Sequence, residues 1–582
     1  MKTHPSETYR LILTFICAVL LSCLILPLLG ASETTHAKGQ AGVAPETLRT
    51  PVNGVFQWHV ETKYKFSEGP QEKIASAYLW IPEHCQKVRG ALLLFRNIID
   101  ESLTVNPAIR AVSAKNDLAI VWVSNYIYFE DKDHKELTGT PEEYSEFIGK
   151  VFSEFAALCG YSELSSVPWL PLGQSAQLPM LTYLLNGNPS RCIAEIGLKD
   201  PLYPVYVDNS GVPILNWKGT GSSWDQAVGF FKEWNTGNLV RFYSPFLAKH
   251  TRLSDSPASY VMEGWSSHFG LTETMLQYLA EYISTVTKAR LPDHPGEQPL
   301  KKIDVSKGWV TGLPIPVSDN GRKPFAPIRY DKATAEQKAE PWFFTESEAR
   351  RANEIASIDW NAEPQMPAVA DEHGDVYPHC FRGLQQFSPI FWEDGIAFKL
   401  NPILLDKAPA SFTVEPGTIL RKTPGKPFVY WMQGCAAPLG DDTWQIHLSR
   451  SAKFPLGTAD AWLAVYKSGE GNVRGVEQPF HIIFNPNKEG AAQQISFDPI
   501  PDIKIGSTRS ITLAAKASSG FPVRYYVIQG PAVINGDKLS FTPIPPRAKL
   551  PLKVTVVAWQ WGIKDKIQTA PSVAQSFNLI NK

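Results

Sequence analysis

Residues 168–189 read Pro168-Trp169-Leu170-Pro171-Leu172-Gly173-Gln174-Ser175-Ala176-Gln177-Leu178-Pro179-Met180-Leu181-Thr182-Tyr183-Leu184-Leu185-Asn186-Gly187-Asn188-Pro189. Pro168 to Leu172 is a short apolar strand and Gly173-Gln174-Ser175-Ala176 a turn. Gln177 to Leu185 is a helix, stopped by Asn186-Gly187-Asn188-Pro189. A serine on a sharp strand-to-helix turn has its hydroxyl raised above the end of the strand. The helix N-terminus beside it favours developing negative charge. Small neighbours let the backbone crowd there, so Ser175 is placed as a nucleophile. Two features depart from the usual Gly-x-Ser-x-Gly turn. Gln177 stands where the last glycine is expected, and Pro168 and Pro171 lie in a strand that should be central, where a missing N–H loses a ladder bond. An ordinary turn that contains a serine is the alternative reading.

Outward from this stretch, Val55 to about Arg290 alternates apolar strands with amphipathic helices, the pattern of an α/β domain with a mostly parallel sheet. Ala91-Leu92-Leu93-Leu94-Phe95 and Leu118-Ala119-Ile120-Val121-Trp122-Val123 are unbroken apolar runs and read as strands buried on both faces. Ala77 to Ile81 is a further strand. Thr140-Pro141-Glu142-Glu143 opens a helix with a capping box and a proline in the first turn. The helix runs to Gly160, and Tyr144, Phe147, Ile148, Val151, Phe152, Phe155 and Leu158 make its apolar face.

In such a domain a serine nucleophile is followed along the chain by an acid and then by a histidine. His268 has the place of the base, in the loop Gly264-Trp265-Ser266-Ser267-His268-Phe269-Gly270 after the strand Ser259 to Glu263. Asp225 is the first choice for the acid, in the loop after the strand Val212 to Trp217. Asp200, after the strand Cys192 to Gly197, and Glu263 are the alternatives, and each can equally be a loop carboxylate that caps or is solvated. The oxyanion donors expected are the backbone N–H of Ala176 and one from the loop after Phe95, at Asn97. Gly219 and Gly221 lack the Lys and Ser/Thr of a phosphate loop, so nucleotide binding is not expected.

The 582-residue chain is too long for one core. Its formal net charge of -1 supplies no basic stripe for nucleic acid. Lys2 and Arg10 precede an apolar run from Leu11 to Gly30 and then polar residues, so residues 1–31 read as a secretory signal peptide or, alternatively, an uncleaved anchor. Either places the remainder outside the cytoplasm: periplasm, cell surface or medium. No further stretch has the length of a membrane span. After residue 31 the cysteines are Cys85, Cys159, Cys192, Cys380 and Cys435, without the close pairs of a zinc site, so neither metal nor cofactor is expected. Cys380 and Cys435 are either a disulfide or buried thiols.

The first domain is expected over 52–291. A Pro- and Lys-containing linker over 292–328 then precedes a β-rich domain over 329–490 and a small β-sandwich over 494–582. The β-rich domain opens with a helical piece at Thr345 to Ile358. The last segment, through Ile495-Ser496-Phe497-Asp498-Pro499-Ile500-Pro501-Asp502 and Gly530-Pro531-Ala532-Val533-Ile534-Asn535-Gly536-Asp537, resembles bacterial immunoglobulin-like modules.

The succession Trp80-Ile81-Pro82, Gly173-Gln174-Ser175-Ala176, Gly211-Val212-Pro213-Ile214-Leu215, His268-Phe269-Gly270 and Gly308-Trp309 resembles exported bacterial proteins of the α/β-hydrolase fold with C-terminal β-domains. Many of those proteins carry Gly-His-Ser-Ala where this chain has Gln174. The resemblance is to carbohydrate esterases and other esterases that accompany polysaccharide degradation. It implies a serine-dependent ester hydrolase acting on a small-molecule or glycan ester. The alternatives are a glycan-binding or adhesion protein with a vestigial hydrolase fold, and a serine peptidase on the same triad.

Overall fold

A computed structural model of the chain describes residues 54–67, 72–124, 139–199, 211–219, 257–264, 266–268, 270–293, 299–315, 323–358, 362–378, 387–409, 416–440, 442–452 and 454–581. Residues 1–31, expected to be a signal peptide or anchor, and Asp200, Asp225 and Cys380 lie outside the described residues.

Eight strands form the first sheet: β1 (Trp58–Tyr64), β2 (Lys73–Trp80), β3 (Gly90–Phe95), β4 (Leu118–Val123), β5 (Trp169–Gln174), β6 (Glu195–Leu198), β7 (Ile214–Gly219) and β8 (Ala258–Glu263). Their order is β1-β2-β4-β3-β5-β6-β7-β8. β1 and β2 pair antiparallel, as do β2 and β4. Every pair from β4 through β3, β5, β6 and β7 to β8 is parallel. β3 and β4 are buried at every residue, as their unbroken apolar runs require. Their side chains alternate between two cores. Leu92, Leu94, Ile120 and Trp122 join one cluster, and Ala91, Leu93, Phe95, Val121 and Val123 join the other.

The first cluster takes the apolar sides of helices α1 (Asp100–Val105), α2 (Pro107–Lys115) and α5 (Glu273–Arg290). The second takes α3 (Pro141–Cys159) and most of the apolar side of α4 (Leu178–Gly187). α3 starts on the capping box of Thr140 and Glu143 and ends at Gly160, whose φ of 89° suits glycine. Leu158, read as part of its apolar face, is instead 44% exposed. It lies in the last turn, where Cys159, four residues after Phe155, takes the buried position instead.

Pro171 lies inside β5 although that strand is central. Two residues separate Trp169 from Leu172, whereas three separate their β6-side partners Cys192 and Ile196. The register therefore shifts by one residue across Pro171, the kind of ladder irregularity at which a proline is tolerated.

The stretch expected to be a linker carries structure. β9 (Trp309–Gly312) and β10 (Phe325–Arg329) form a sheet with β11 (Trp342–Phe343) in the order β10-β9-β11. Ser259 Oγ of β8 donates to the Trp342 carbonyl at 2.7 Å, which fastens this sheet to the large one. α6 (Glu346–Ala356) follows on a capping box of Thr345 and Glu348. Residues 428–434, 459–467 and 476–484 then make an antiparallel three-stranded sheet.

In the last region a four-stranded and a three-stranded sheet share a core through Val554, Phe577 and Leu539. That region also touches the first domain. The Gly530 N–H donates to the Phe56 carbonyl at 3.0 Å, and the Lys549 N–H to the Cys159 carbonyl at 2.9 Å. Cys85, Cys159, Cys192 and Cys435 are buried free thiols, and burial pushes the Cys435 thiol up to about 12.

Candidate active site

The parallel strands end together at one edge of the sheet, where open α/β sheets place their sites. Ser175 leaves β5 at that edge with φ of 53°. This is the left-handed region, which costs a non-glycine residue about 1–2 kcal/mol and marks a turn held by its surroundings. A short 3₁₀ turn over Ser175–Gln177 leads directly into α4. Ala176 therefore lies where N–H groups have no partner within the helix.

Gly173 explains why Gln177 can replace a glycine. A β-carbon at position 173 would lie 3.0 Å from the Gln177 Cβ and 3.2 Å from a Leu181 methyl. The space given up at Gly173 is the space Gln177 fills. The Gln177 amide then donates to the Arg96 carbonyl at 2.9 Å, bracing the loop after β3 against the turn.

His268 Nε2 lies 2.8 Å from Ser175 Oγ. These side chains, 93 residues apart in sequence, are in hydrogen-bond contact at the strand ends, and the histidine is 5% exposed. Gln174 holds them together from one side, since its amide donates to the His268 carbonyl at 3.1 Å. In the sequence Gln174 stands out only as a departure from Gly-His-Ser-Ala. Its glutamine side chain is what ties β5 to the histidine loop.

The acid candidates divide. Glu263 does not orient His268. Its Oε1 accepts from Thr272 Oγ1 at 2.6 Å, and its Oε2 accepts from Trp217 Nε1 at 3.2 Å and lies 3.6 Å from Lys199 Nζ. The carboxylate is thus committed to a buried network at the end of β8. Asp225, which follows β7 in the chain, and Asp200, which follows β6, stay as alternatives outside the described residues.

The expectation for Asn97 needs correction. Its N–H donates to Asp100 Oδ1 at 2.5 Å, and its side-chain amide donates to the Gln174 carbonyl at 2.6 Å. Asp100 opens α1 and turns back three residues to take the donor that an oxyanion was expected to use. Asn97 is therefore a tie between the loop after β3 and the residue before Ser175.

Asp100 also accepts from Trp122 Nε1 at 2.6 Å. Burial pushes its carboxyl up to about 6, against the opposing pull of the Asn97 and Trp122 hydrogen bonds and of Arg96. The group ionises less readily folded than unfolded. Its stabilising contribution is complete below the ordinary carboxylate range near 3.8 and is lost as pH rises through about 6. The shift corresponds to about 3 kcal/mol. Urea unfolding of wild type and Asp100→Asn is expected to show their stability difference moving by about that amount between pH 3.5 and pH 7, in the variant's favour as pH rises. A constant difference would remove Asp100 as the cause.

The β-rich region also reaches this edge. Glu101 accepts from the Gly434 N–H at 3.0 Å and from Ser451 Oγ at 2.7 Å, and Ser102 Oγ donates to the Met432 carbonyl. Arg96 lies 3.7 Å from Asp460. Beyond His268, the Leu271 N–H donates to the Tyr430 hydroxyl at 3.4 Å, and that hydroxyl donates to Glu477. The loops after β3 and β8 are both gripped from residues 430–477.

Sheet order and elbow together define an α/β-hydrolase-type domain. The chain is similar to an S-formylglutathione hydrolase from Agrobacterium tumefaciens at 11% identity and a TM-score of 0.25, covering 40% of this chain and 97% of that one. It is similar to a siderophore hydrolase from Aspergillus nidulans at 11% identity and a TM-score of 0.29, covering 40% and 96%. It is also similar to a thermophilic carboxylesterase cloned from a metagenomic library at 12% identity and a TM-score of 0.27, covering 41% and 90%. No family model and no curated protein matches the chain. Likenesses this distant say nothing about chemistry, which rests on the site.

Proposed function

We propose that the protein is an exported, serine-dependent carboxylic ester hydrolase acting on acylated polysaccharide or oligosaccharide. The observation that carries this reading is the 2.8 Å contact between His268 Nε2 and Ser175 Oγ, on an elbow whose serine has φ of 53°. Ser175 attacks the ester carbonyl while His268 takes the hydroxyl proton, and the Ala176 N–H receives the oxyanion. His268 returns the proton to the departing alcohol. Water, activated by the same imidazole, then releases the acid. Asp225 orients the imidazole in this scheme.

The glycan half of the proposal rests on the leader-like first 31 residues and on the β-rich regions, the last of which we read as immunoglobulin-like. One observation favours a second reading, a glycan-binding protein without turnover: the Asn97 N–H is spent on Asp100. A fluorophosphonate probe with peptide mass mapping, run beside a panel of acetyl, feruloyl and longer acyl esters of sugars, separates the two. The esterase reading expects label on Ser175 and turnover of at least one ester. No label and no turnover, with retention on a glycan affinity gel, supports the binding reading.

A further inference from the structure

Under the histidine loop lies an ion pair that the scheme above does not use. The side chains of Lys199 and Glu263 are 0% and 3% exposed, with Lys199 Nζ 3.6 Å from Glu263 Oε2. Lys199 Nζ also donates to Ser266 Oγ, two residues before His268. The lysine follows β6 and the glutamate ends β8, so the pair reaches across the end of β7. Gly219, the last residue of β7, makes the crossing possible. A β-carbon there would lie 3.0 Å from Lys199 Nζ and 2.6 Å from the Ser266 carbonyl. Lys199 itself has φ of 55°, a strained conformation for a residue other than glycine.

Burying two charges is expensive and is seldom worth it for stability alone, since apolar side chains of similar size would serve as well. Here the pair is spent on geometry. It fixes the exits of β6, β7 and β8 relative to one another, and through Ser266 it fixes the segment that presents the imidazole.

We propose that Lys199 is a positioning residue of the reaction, which sets His268 against Ser175 by holding Ser266 and Glu263 across the end of β7. The proposal rests on the esterase reading for its kinetic consequence but not for its structural one. Displacing a catalytic group by about 1 Å costs on the order of a hundredfold in rate. Lys199 is fully buried and bonded to Ser266 and Glu263, so the effect is expected to fall on kcat and to leave KM near its wild-type value.

Three full-length variants test this. Lys199→Met leaves Glu263 buried without its cation and can fail to fold. Lys199→Met/Glu263→Gln removes both charges and keeps the volume. Ser266→Ala removes only the hydroxyl and keeps the ion pair. In the double variant and in Ser266→Ala, with thermal unfolding used to select folded protein, kcat is expected to fall by about tenfold to a hundredfold with KM within about threefold of wild type. The side-chain ¹H–¹⁵N signals of His268 in histidine-labelled protein are expected to shift, reporting a changed hydrogen bond to Ser175. Folded Ser266→Ala and double-variant proteins with wild-type kcat and unmoved His268 signals overturn the proposal. A wild-type chain that hydrolyses no ester overturns the esterase reading instead, and the His268 signals still decide the role of Lys199.

Discussion

Ser175→Ala is expected to lower kcat by about 10⁴- to 10⁶-fold on any ester the wild type hydrolyses, with KM little changed. The hydroxyl removed is the atom 2.8 Å from His268 Nε2, on the strained turn that ends β5. His268→Ala is expected to lose a similar factor, and the double variant no more than either alone, because the two groups act as one unit. A companion variant isolates strain from chemistry. Ser175→Gly also lacks the hydroxyl, but glycine accepts φ of 53° at little cost. It is therefore expected to be more stable than Ser175→Ala by about 1 kcal/mol in chemical unfolding while equally inactive. Retained ester turnover in Ser175→Ala, measured with purified protein, would mean that another residue attacks the carbonyl.

What made this site legible was local in sequence. The strand, turn and helix around Ser175 occupy adjacent residues, and each announces itself by composition, so the elbow could be read before any contact was known. His268 was legible for a second reason: the chain order of serine, acid and base in such sheets narrows the search to the loop after the last parallel strand. The capping box at Thr140 and the buried runs of β3 and β4 belong to the same kind of evidence.

What escaped were choices between equivalent hydrogen-bonding groups. Nothing in the order of residues says that Asp100 rather than an oxyanion takes the Asn97 N–H, or that Glu263 serves Thr272, Trp217 and Lys199 rather than His268. Each carboxylate has several donors within reach, and only packing in three dimensions selects among them. The strands β9 and β10 escaped for a related reason. Their apolar residues lie in short runs broken by Gly, Pro and Lys, and what holds the sheet is its partner β11 and the buried Trp342.

The largest feature hidden from the sequence is the grip of residues 430–477 on the histidine loop, and Gly270→Ala exposes it. A β-carbon at position 270 would lie 1.5 Å from Glu477 Oε2 and 2.1 Å from Glu477 Cδ. That carboxylate is not free to swing aside, because Glu477 is 1% exposed and receives the Tyr430 hydroxyl. Either the glutamate leaves its site or the loop moves, and the loop carries His268 two residues earlier.

Overpacking of this kind costs about 1–3 kcal/mol of stability. A shift of the imidazole costs on the order of a hundredfold in kcat. Both are expected in Gly270→Ala, read by thermal unfolding and by steady-state kinetics on the best ester found. The steric origin has its own check. Trimming the obstacle in Gly270→Ala/Glu477→Ala is expected to recover much of the lost kcat, although Glu477→Ala alone lowers stability by leaving the buried Tyr430 hydroxyl without its acceptor. A double variant no better than Gly270→Ala would show that the glycine is needed for its backbone and not for the room it leaves. Recovery would mean that the β-rich region is built into the hydrolase site: a side chain more than 200 residues away in sequence sets how closely the base approaches its serine.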